Sequence, residues 1–368
     1  MQIIDCAHTP VKDIISTARK VLSSGGLVIF PTETTYGAGV DATNPVAIEK
    51  LLAYKSRREG KPLSIAVTDK EMARTYVEIN DQADQIISQF LPGPVTVVCK
   101  DKGVVSPGVA SEFGTLGLRI PDYQLILDIV AAYGKPMTAT SANASGKKRP
   151  YTVQDILDNL SNTQKEKIDL ILDAGKLPHN PPSTVIDTTL ETPITLRQGE
   201  AAFNAEMTQK AITQSEQETM DLAGKIALQH WNDIAKTGLI IALDGPLGVG
   251  KTIFTKGIAK FLGITETITS PTYAYVEEYD YTRHQTSGRL YHADIWKVAS
   301  AEEASRLGID EMLGPNSLLL VEWFDVAKDY ILSVAEDKKV PVVHIQLQQD
   351  GTKRILHISD IETTSYEN

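Results

Sequence analysis

The stretch Gly245-Pro-Leu-Gly-Val-Gly250-Lys251-Thr252 decides the fold of the second half of this chain. It fits the phosphate-binding pattern G-x-x-x-x-G-K-[ST], in which backbone N–H groups surround phosphate oxygens at the N-terminus of a helix. Both flanks agree, because residues 239–243 predict a buried strand and residues 253–262 predict a helix. A chance glycine-rich turn is the alternative interpretation, and it does not account for the flanks. We therefore predict a nucleoside triphosphate site, with Mg²⁺ on the Thr252 hydroxyl, formed by Gly245, Gly248, Gly250, Lys251 and Thr252.

Length, charge and cysteine content restrict the function classes. At 368 residues the chain exceeds what one hydrophobic core usually organises, so two domains are expected. Its net charge of −11 argues against broad, sequence-independent binding of nucleic acid, which needs a basic surface. Cys6 and Cys99 stand far apart in apolar surroundings, which favours a reducing cytosol over a disulfide framework or a zinc site. Because no apolar run has the length of a transmembrane helix and the N-terminus lacks a secretion signal, we expect a cytoplasmic protein without membrane association.

Alternating apolar runs and amphipathic segments predict an α/β fold in both halves. Helical spacing over residues 11–22 is followed by Gly25-Gly26 and then by an apolar strand at residues 27–30. Further short apolar runs and helical segments continue the pattern. The predicted strands are residues 63–67, 95–99, 116–120 and 170–172, and the predicted helices lie around Ala73 and Ile126.

The domain boundary is expected after Arg197, where the strand candidates end. Residues 200–217 are polar and rich in alanine, as in a linker or a connecting helix. Ser215 followed by Glu218 then predicts a helix start with a capping box. We therefore expect one domain over residues 1–199, a linker over residues 200–214 and a second domain over residues 215–368.

Short segments of the first half concentrate polar side chains where a hydrophobic core would exclude them. Singly, each has an ordinary structural explanation, because threonine and serine cap helices, basic residues favour helix C-termini and asparagine favours turns. It is their combination that is informative. The segments are Pro31-Thr-Glu-Thr-Thr-Tyr-Gly37, Lys55-Ser-Arg57-Arg-Glu-Gly-Lys61, Thr138-Ala-Thr-Ser141-Ala-Asn143, Pro182-Ser183-Thr184-Val and Arg197-Gln-Gly199.

In this combination and order the segments resemble the YrdC/TsaC family of threonylcarbamoyl-adenylate synthases. The shared patterns P-T-E-T-x-Y-G, K-x-R, L-P-G-P-x-T, S-x-N and P-S-T-V span essentially residues 1–199. Thr35 and Ala38 stand where the family often has valine and leucine, and Arg58 stands where proline is common. These departures remove no group assigned to the chemistry. The resemblance implies a twisted α/β domain that forms threonylcarbamoyl-AMP and pyrophosphate from L-threonine, bicarbonate and ATP.

The resemblance also implies roles for individual residues, and the electrostatics of the reaction agree with them. A carboxylated threonine must approach the α-phosphate of ATP although both are anions, so fixed cations are needed. For Tyr36, a packed core tyrosine is an open alternative to a pocket-lining role. The implied catalytic residues are Lys55, Arg57, Ser141 and Asn143, and the implied substrate-binding residues are Thr32, Tyr36, Lys61, Arg119, Thr138, Ser183 and Arg197.

Beyond the phosphate loop, two carboxylates stand at predicted strand ends. Asp294 ends a short apolar segment that contains His292, and Glu322 ends the apolar run that begins at residue 318. Both carboxylates are candidates for the magnesium site or for orienting an attacking water. A surface carboxylate is the alternative for Glu322, and a structural histidine is the alternative for His292.

Together with the phosphate loop these segments resemble TsaE, the small P-loop ATPase of the same tRNA-modification pathway, over roughly residues 215–368. The chain has Pro246 and Val249 where the family pattern has aspartate and alanine. It has Trp296-Lys297 where the pattern has tyrosine and arginine. The resemblance implies a P-loop NTPase-type α/β domain with ATP and Mg²⁺ as cofactors. It further implies metal binding by Thr252, Asp294 and Glu322 and nucleotide contacts by Thr219 and Thr272.

The two resemblances point to one pathway. In it, threonylcarbamoyl-AMP passes to a transferase that modifies the adenosine beside the tRNA anticodon. The resemblances imply TsaD and TsaB as partners, with tRNA reached indirectly through their complex. Two alternatives stay open from the residues alone. One is a YrdC-like module that binds RNA and is regulated by the attached ATPase, and the other is a kinase or carbamoyltransferase that uses the same pocket.

Overall fold

The computed structural model describes residues 1–56, 62–144, 147–199, 210–271, 275–298 and 301–361. The chain divides into two compact α/β units, which are treated separately. The N-terminal unit comprises Met1–Thr189 and Thr195–Asn204, and the C-terminal unit comprises Leu190–Ile194 and Ala205–Asn368. Among the described residues, no helix combines the length and the apolar character that a membrane span requires.

Short strands and helices alternate in the N-terminal half, as the sequence predicts. The strands up to residue 199 are β1 (Gln2–Asp5), β2 (Leu27–Phe30), β3 (Gly37–Gly39), β4 (Ser64–Ala66), β5 (Val77–Glu78), β6 (Val95–Asp101), β7 (Thr115–Arg119), β8 (Met137–Thr138), β9 (Thr140–Ser141), β10 (Ile168–Asp173), β11 (Thr184–Asp187) and β12 (Ile194–Arg197). The helices are α1 (Val11–Ser23), α2 (Pro45–Lys55), α3 (Lys70–Tyr76), α4 (Asp81–Phe90), α5 (Gln124–Tyr133), α6 (Val153–Asp158) and α7 (Asn162–Lys165).

These strands form two mixed sheets. The first has the order β1-β10-β2-β3-β9, with parallel pairing from β1 to β2 and antiparallel pairing from β2 to β9. The second has the order β12-β11-β6-β7-β4-β8, with β5 beside β6. The register places Gly37 opposite Ser141 in the first sheet and Ala66 opposite Arg119 in the second. The pairing of β3 with β9 therefore brings together two motif segments, residues 31–37 and 138–143, that are far apart in sequence.

Local sequence explains how the first motifs are presented. The four residues of β2 are all buried, which suits an apolar run that is covered on both faces. The polar turn that starts at Pro31 follows directly from the end of this strand. Helix α2 begins at Pro45, and the side chain of the preceding Asn44 caps it by accepting hydrogen bonds from the N–H groups of Val46 and Ala47. The last residue of the helix is Lys55, so the helix positions this lysine at its C-terminus.

The C-terminal unit contains one sheet and its covering helices. Its strands are β13 (Lys210–Thr213), β14 (Leu239–Asp244), β15 (Val276–Arg283), β16 (Thr286–Asp294), β17 (Ser317–Glu322), β18 (Val342–Asp350) and β19 (Lys353–Ile361). Its helices are α8 (Glu216–Gln229), α9 (Trp231–Lys236), α10 (Lys251–Leu262), α11 (Ala301–Ser305), α12 (Ile309–Met312), a 3₁₀ turn (Phe324–Ala327) and α13 (Lys328–Lys338).

The sheet order is β13-β19-β18-β14-β17-β16-β15, and the four strands β18, β14, β17 and β16 are parallel. The carboxyl ends of parallel strands meet at one edge of a sheet. Glu322 is accordingly opposite Leu243 on one side and Asp294 on the other. The phosphate loop leaves β14 at this same edge, so the fold brings the loop and both predicted carboxylates together.

Strand β13 lies within the segment predicted to be a linker over residues 200–214. Ala211 and Thr213 are fully buried, and β13 pairs antiparallel with β19. The linker prediction is therefore wrong for residues 210–213, and residues 200–209 are outside the described residues. The predicted helix start is confirmed, since Ser215 Oγ accepts a hydrogen bond from the Glu218 N–H at 3.1 Å. The Glu218 carboxylate accepts from the Gln214 N–H instead of closing a capping box on Ser215.

Candidate active sites

The Lys55 ammonium group lies against the turn that follows β9. Its Nζ donates hydrogen bonds to the carbonyl oxygens of Ser141 and Asn143, both at 2.6 Å. Ser141 Oγ donates to Asn143 Oδ1 at 2.5 Å, so the three residues form one hydrogen-bonded group. Lys55 is buried, which is rare for a lysine without polar partners. The structure thus brings together three of the four residues predicted to be catalytic.

Two predicted substrate-binding threonines make hydrogen bonds to backbone groups of the same unit. The Thr32 hydroxyl donates to the Thr35 carbonyl at 2.6 Å and accepts from the N–H groups of Thr34 and Thr35, each at 3.2 Å. Thr138 is fully buried, and its hydroxyl accepts from the Val40 N–H at 3.1 Å. In this structure both hydroxyls therefore bond to backbone within the unit.

Arg119, the last residue of β7, forms a buried ion pair with Glu33. Arg119 Nη2 donates to Glu33 Oε1. Arg119 Nε and Glu33 Oε2 are buried and have no hydrogen-bond partner in the described part of the chain. Buried polar atoms without partners are uncommon, and each costs about 1–3 kcal/mol. A ligand with one acceptor and one donor would satisfy both atoms. Sequence reasoning selected Arg119 and missed Glu33, although Glu33 stands inside the P-T-E-T motif.

Ser183 and Arg197 contact each other. Arg197 Nε donates to the Ser183 carbonyl at 3.1 Å, and Nη2 donates to Ser183 Oγ at 2.9 Å. Arg197 is an exposed residue, but these bonds hold its guanidinium group against the protein. Withdrawal from water, followed by the positive charges of Arg149 and Arg119, lowers the pKa of Arg197 to about 10. The three arginines thus form a positive cluster suited to phosphate. Arg149 was missed, although it ends the basic run that starts at residue 147.

Tyr36 lies in the hydrophobic core. It is fully buried, and its hydroxyl donates to the Gly175 carbonyl at 2.7 Å and accepts from the Ala174 N–H at 2.9 Å. Burial raises the pKa of Tyr36 above its usual value. This geometry corresponds to the packed core tyrosine that the sequence left as an alternative, and it gives no support to a pocket-lining role. Arg57, Lys61 and Thr272, which were also predicted site residues, lie outside the described residues.

The phosphate loop joins β14 to α10, as predicted. Gly245 and Gly250 have φ values of 142° and 113°, in the region that favours glycine. A Cβ atom on Gly245 would lie 2.5 Å from the Leu347 carbonyl oxygen, and one on Gly250 would lie 2.7 Å from Arg354 Nε. Gly245 is therefore required by close approach to backbone as well as by conformation, and Gly250 is required by its conformation. Gly248 also has a positive φ, of 80°.

The Lys251 side chain folds back onto the loop. Its Nζ donates to the carbonyl oxygens of Gly245 at 2.8 Å and Pro246 at 3.2 Å, and it lies 4.3 Å from the centroid of the Trp323 ring. Burial lowers the pKa of Lys251, although the negative charges of Glu322, Asp294 and Asp244 oppose the shift. The ammonium group thus has neutral oxygen partners that the charged oxygens of a phosphate can replace.

Thr252, Glu322 and Asp294 provide the hard oxygen donors that Mg²⁺ prefers. Thr252 Oγ1 lies 3.3 Å from Glu322 Oε1, and Asp294 Oδ2 accepts from Ser270 Oγ at 2.9 Å. The two carboxylates are only 3% and 4% exposed, so each is withdrawn from water. Glu322 Oε1 is also 3.0 Å from Nε2 of His292, which is fully buried and whose Nδ1 has no partner among the described residues. This donor set fits a magnesium ion. Glu322 is not the surface carboxylate that the sequence allowed as an alternative.

Two other polar groups of this unit are occupied by internal hydrogen bonds. Thr219, a predicted nucleotide contact, is fully buried, and its hydroxyl lies 2.8 Å from Thr213 Oγ1 and 3.1 Å from the Ser215 carbonyl oxygen. Asp244, at the base of the loop, accepts from the Asp325 N–H at 3.1 Å and lies 2.8 Å from His344 Nε2. Asp244, Asp325 and His344 have metal-binding atom types within 4.8 Å of one another, but both Asp244 oxygens are already occupied by the Asp325 N–H and by His344.

The two sites define a nucleotide-handling protein with a cationic, hydroxyl-rich site in one α/β unit and a phosphate loop in the other. The Sua5/YciO/YrdC family, described as telomere recombination, matches residues 20–199. The TsaE family, described as threonylcarbamoyl adenosine biosynthesis protein TsaE, matches residues 213–356. The chain belongs to the Sua5/YciO/YrdC family and carries a TsaE domain.

Curated relatives cover the N-terminal half of the chain. The threonylcarbamoyl-AMP synthase of Photobacterium profundum is 32% identical over 190 residues, which is 51% of this chain and 100% of that protein. A Methanocaldococcus jannaschii protein, provisionally named a threonylcarbamoyl-AMP synthase, is 37% identical over 188 residues, or 51% of this chain and 86% of that protein. The solved structure of Pyrococcus abyssi Sua5 complexed with L-threonine has a TM-score of 0.52 at 22% identity and covers 94% of this chain and 99% of that one. This last likeness bears on the fold alone.

Proposed function

We propose that the N-terminal unit is a threonylcarbamoyl-AMP synthase that joins L-threonine, bicarbonate and ATP and releases pyrophosphate. The main support for the proposal is the Lys55–Ser141–Asn143 group, because three of the four predicted catalytic residues form one hydrogen-bonded set in a unit whose relatives are named threonylcarbamoyl-AMP synthases. We further propose that the C-terminal unit hydrolyses ATP to ADP and phosphate. This second activity supports transfer of the threonylcarbamoyl group to tRNA.

Charge placement is the main contribution of the N-terminal residues in this mechanism. The threonine amino group first attacks the carbon of bicarbonate, and a C–O bond breaks to release water and leave a carbamate. A carbamate oxygen then attacks the α-phosphorus of ATP, the bond from that phosphorus to the bridging oxygen breaks, and pyrophosphate leaves with the negative charge. Lys55 and the cluster of Arg119, Arg149 and Arg197 hold the anions together and stabilise the leaving group. Arg119 Nε and Glu33 Oε2, neither of which has a hydrogen-bond partner among the described residues, are suited to the carboxylate and the amino group of threonine. No side-chain nucleophile is needed.

The C-terminal unit supplies the parts of a phosphoryl-transfer site. The phosphate loop and Lys251 bind the triphosphate, with Lys251 exchanging its loop carbonyls for phosphate oxygens. Thr252, Asp294 and Glu322 would hold Mg²⁺, which when bound would offset the negative charge of the phosphates. His292 orients the Glu322 carboxylate through the 3.0 Å contact.

Partners follow from the proposed pathway. Threonylcarbamoyl-AMP must be delivered to a transferase, for which we propose TsaD acting with TsaB, and tRNA would be reached through that complex. Because both activities reside in one chain, binding of the ATPase unit to the transferase raises the local concentration of the synthase unit there. The setting would be the cytoplasm, where tRNA is modified.

The decisive experiment measures pyrophosphate release by the Lys251→Ala chain, with ATP and with or without threonine and bicarbonate. The substitution silences the phosphate loop, and pyrophosphate reports only on cleavage at the α-phosphate. We expect release that requires both co-substrates and is equal to that of the unaltered chain, whereas ADP formation is lost. Lys256→Ala, an exposed lysine on the same helix, is the matched control and should retain both activities.

The outcomes separate the candidate functions. The synthase assignment would be overturned by pyrophosphate release that does not depend on threonine. It would also be overturned if a folded chain that binds ATP released no pyrophosphate. Tight tRNA binding by that chain without threonine-dependent chemistry would favour the RNA-binding alternative. A kinase would form ADP from the N-terminal site, and a carbamoyltransferase would require carbamoyl phosphate.

A further inference from the structure

Arg354 approaches the phosphate loop from the side of the sheet. It is the second residue of β19, and its Nε donates a hydrogen bond to the Val249 carbonyl at 3.2 Å. A Cβ atom on Gly250 would lie 2.7 Å from Arg354 Nε and 3.0 Å from Cδ. Gly250 therefore leaves the space that the arginine side chain occupies. The last glycine of the loop is needed for this approach as well as for its φ of 113°.

The register of the sheet explains how β19 reaches the loop. Arg354 is opposite Thr213 of β13, and directly paired residues of an antiparallel pair project from the same face. Thr213 contacts Thr219 of α8, so this is the face that α8 covers. Helix α10 packs against α8 on this face, as shown by Gly257, where a Cβ atom would lie 2.4 Å from the Met220 carbonyl oxygen. Arg354 thus lies on the side of the sheet where α10 and its N-terminal loop lie.

The charge of Arg354 is not compensated within the described part of the chain. Arg289 pairs with Glu278 and Asp280, and Arg306 pairs with Glu302. Arg354 makes no ion pair with any described carboxylate, and its one hydrogen bond there is to a neutral carbonyl. It is only partly exposed. A guanidinium group that adjoins a helix N-terminus and a phosphate loop, without a carboxylate partner, is suited to an anion.

We propose that Arg354 is a second phosphate-binding cation of this site and contacts the phosphates of ATP together with Lys251. The inference rests on the proposed function of the C-terminal unit as an ATPase. On nucleotide binding, Arg354 exchanges its hydrogen bond to the Val249 carbonyl for charge-assisted bonds to phosphate oxygens. Because Gly250 has no side chain, nothing on that residue obstructs the exchange.

The test compares three substitutions of Arg354 in the full chain. Arg354→Lys keeps the charge, Arg354→Gln keeps an N–H donor without the charge, and Arg354→Ala removes both. Three quantities are measured: the ATP affinity of the phosphate loop, the salt dependence of that affinity, and the rate of ADP formation. Binding at the loop is defined as the ATP binding that Lys251→Ala abolishes. Arg306→Ala removes one exposed arginine from the same unit and is the matched control.

We expect Arg354→Ala and Arg354→Gln to weaken ATP binding about 10- to 100-fold, as for a lost charge-assisted hydrogen bond. We expect Arg354→Lys to retain most of the affinity, and the salt dependence to weaken only in the two uncharged variants. Threonine-dependent pyrophosphate release should persist in all three and reports that the N-terminal unit is folded. Unchanged hydrogen exchange of the buried strand β14 reports that the C-terminal unit is folded. Arg306→Ala should behave as the unaltered chain does.

Two results would overturn this inference and leave the proposed ATPase function standing. One is Lys251-dependent ATP binding and ADP formation that none of the three substitutions changes. The other is an ATP affinity that Arg354→Gln and Arg354→Lys retain equally. That result would show that Arg354 acts only through its hydrogen bond to the Val249 carbonyl and that its charge does not contribute. A chain that shows no Lys251-dependent ATP binding would instead overturn the proposed ATPase function, and the inference with it.

Discussion

Lys251 Nζ lies 4.3 Å from the centroid of the Trp323 ring, and Trp323 directly follows Glu322 at the carboxyl end of β17. Trp323 has a φ of 64°, which is rare for a bulky residue and is characteristic of strained functional positions. Its N–H donates to the Leu243 carbonyl at 2.9 Å, so the backbone is held between β17 and β14. The cation–π contact therefore joins the phosphate-loop lysine to the strand that carries the proposed magnesium ligand.

Nucleotide binding should therefore change the fluorescence of Trp323. When Lys251 moves to a phosphate, the ring loses a cation from its face, and its emission should shift or change in intensity. Titration of the full chain with ATP and Mg²⁺ while tryptophan emission is recorded tests this. The change should vanish in Trp323→Phe and persist in Trp296→Phe, where an exposed tryptophan is removed. A change that survives Trp323→Phe would show that another tryptophan reports the binding.

Much of the fold can be predicted from the sequence, because an apolar run that forms a strand or a helix is contained in a short segment. Strand β2 has the predicted bounds, and helix α1 extends the predicted segment by one residue. Strands β3, β8 and β9 have only two or three residues each, too few for any periodicity. Strand β13 was missed for another reason: it follows a polar segment, and its pairing partner β19 is more than a hundred residues away.

Some residues of the candidate sites can likewise be predicted from short segments, and others cannot. Lys251 and Thr252 lie within one short loop, so a sequence pattern is enough to select them. Glu33, Arg149 and Arg354 lie beside residues that are far away in sequence, and no local pattern predicts those proximities. Burial is equally non-local. It makes Tyr36 a core residue although the tyrosine stands inside a functional motif.

The Glu322 carboxylate should govern the magnesium dependence of ATP hydrolysis. It is buried between the Thr252 hydroxyl and His292, so Glu322→Gln removes a negative charge while keeping the shape. We expect the magnesium concentration for half-maximal ADP formation to rise by at least about 10- to 100-fold, which is the loss caused by removing a group that merely orients a metal ligand. The measurement is the rate of ADP formation across a magnesium titration, and a sample whose magnesium has been removed by a chelator gives the rate at zero magnesium. Glu336→Gln, an exposed carboxylate on α13, should leave the curve unchanged. An unchanged curve for Glu322→Gln would remove this residue from the metal site.

The buried pair of Arg119 and Glu33 should be important for the stability of the N-terminal unit. Arg119→Met leaves the Glu33 carboxylate buried without its cation, which should lower the free energy of unfolding by about 3–5 kcal/mol. The double substitution Arg119→Met with Glu33→Gln should recover part of that loss, because glutamine carries no charge. Hydrogen exchange of the buried strand β2 measures the effect within this unit. Arg74→Met breaks a more exposed pair and should have a smaller effect. A double variant no more stable than the single one would contradict this account.

The covalent connection between the two units should matter only when protein is scarce. A protease site introduced between residues 200 and 209 allows the same chain to be assayed before and after cleavage, together with TsaD, TsaB and tRNA. If the ATPase unit brings the synthase unit to the transferase, cleavage should reduce tRNA modification at limiting concentration of the chain and have little effect at saturation. Pyrophosphate and ADP formation without partners should be unchanged, which controls for damage. Equal modification by cut and intact chains at every concentration would contradict a role for the connection. A loss that persists at saturation would instead indicate that the units communicate through the chain itself.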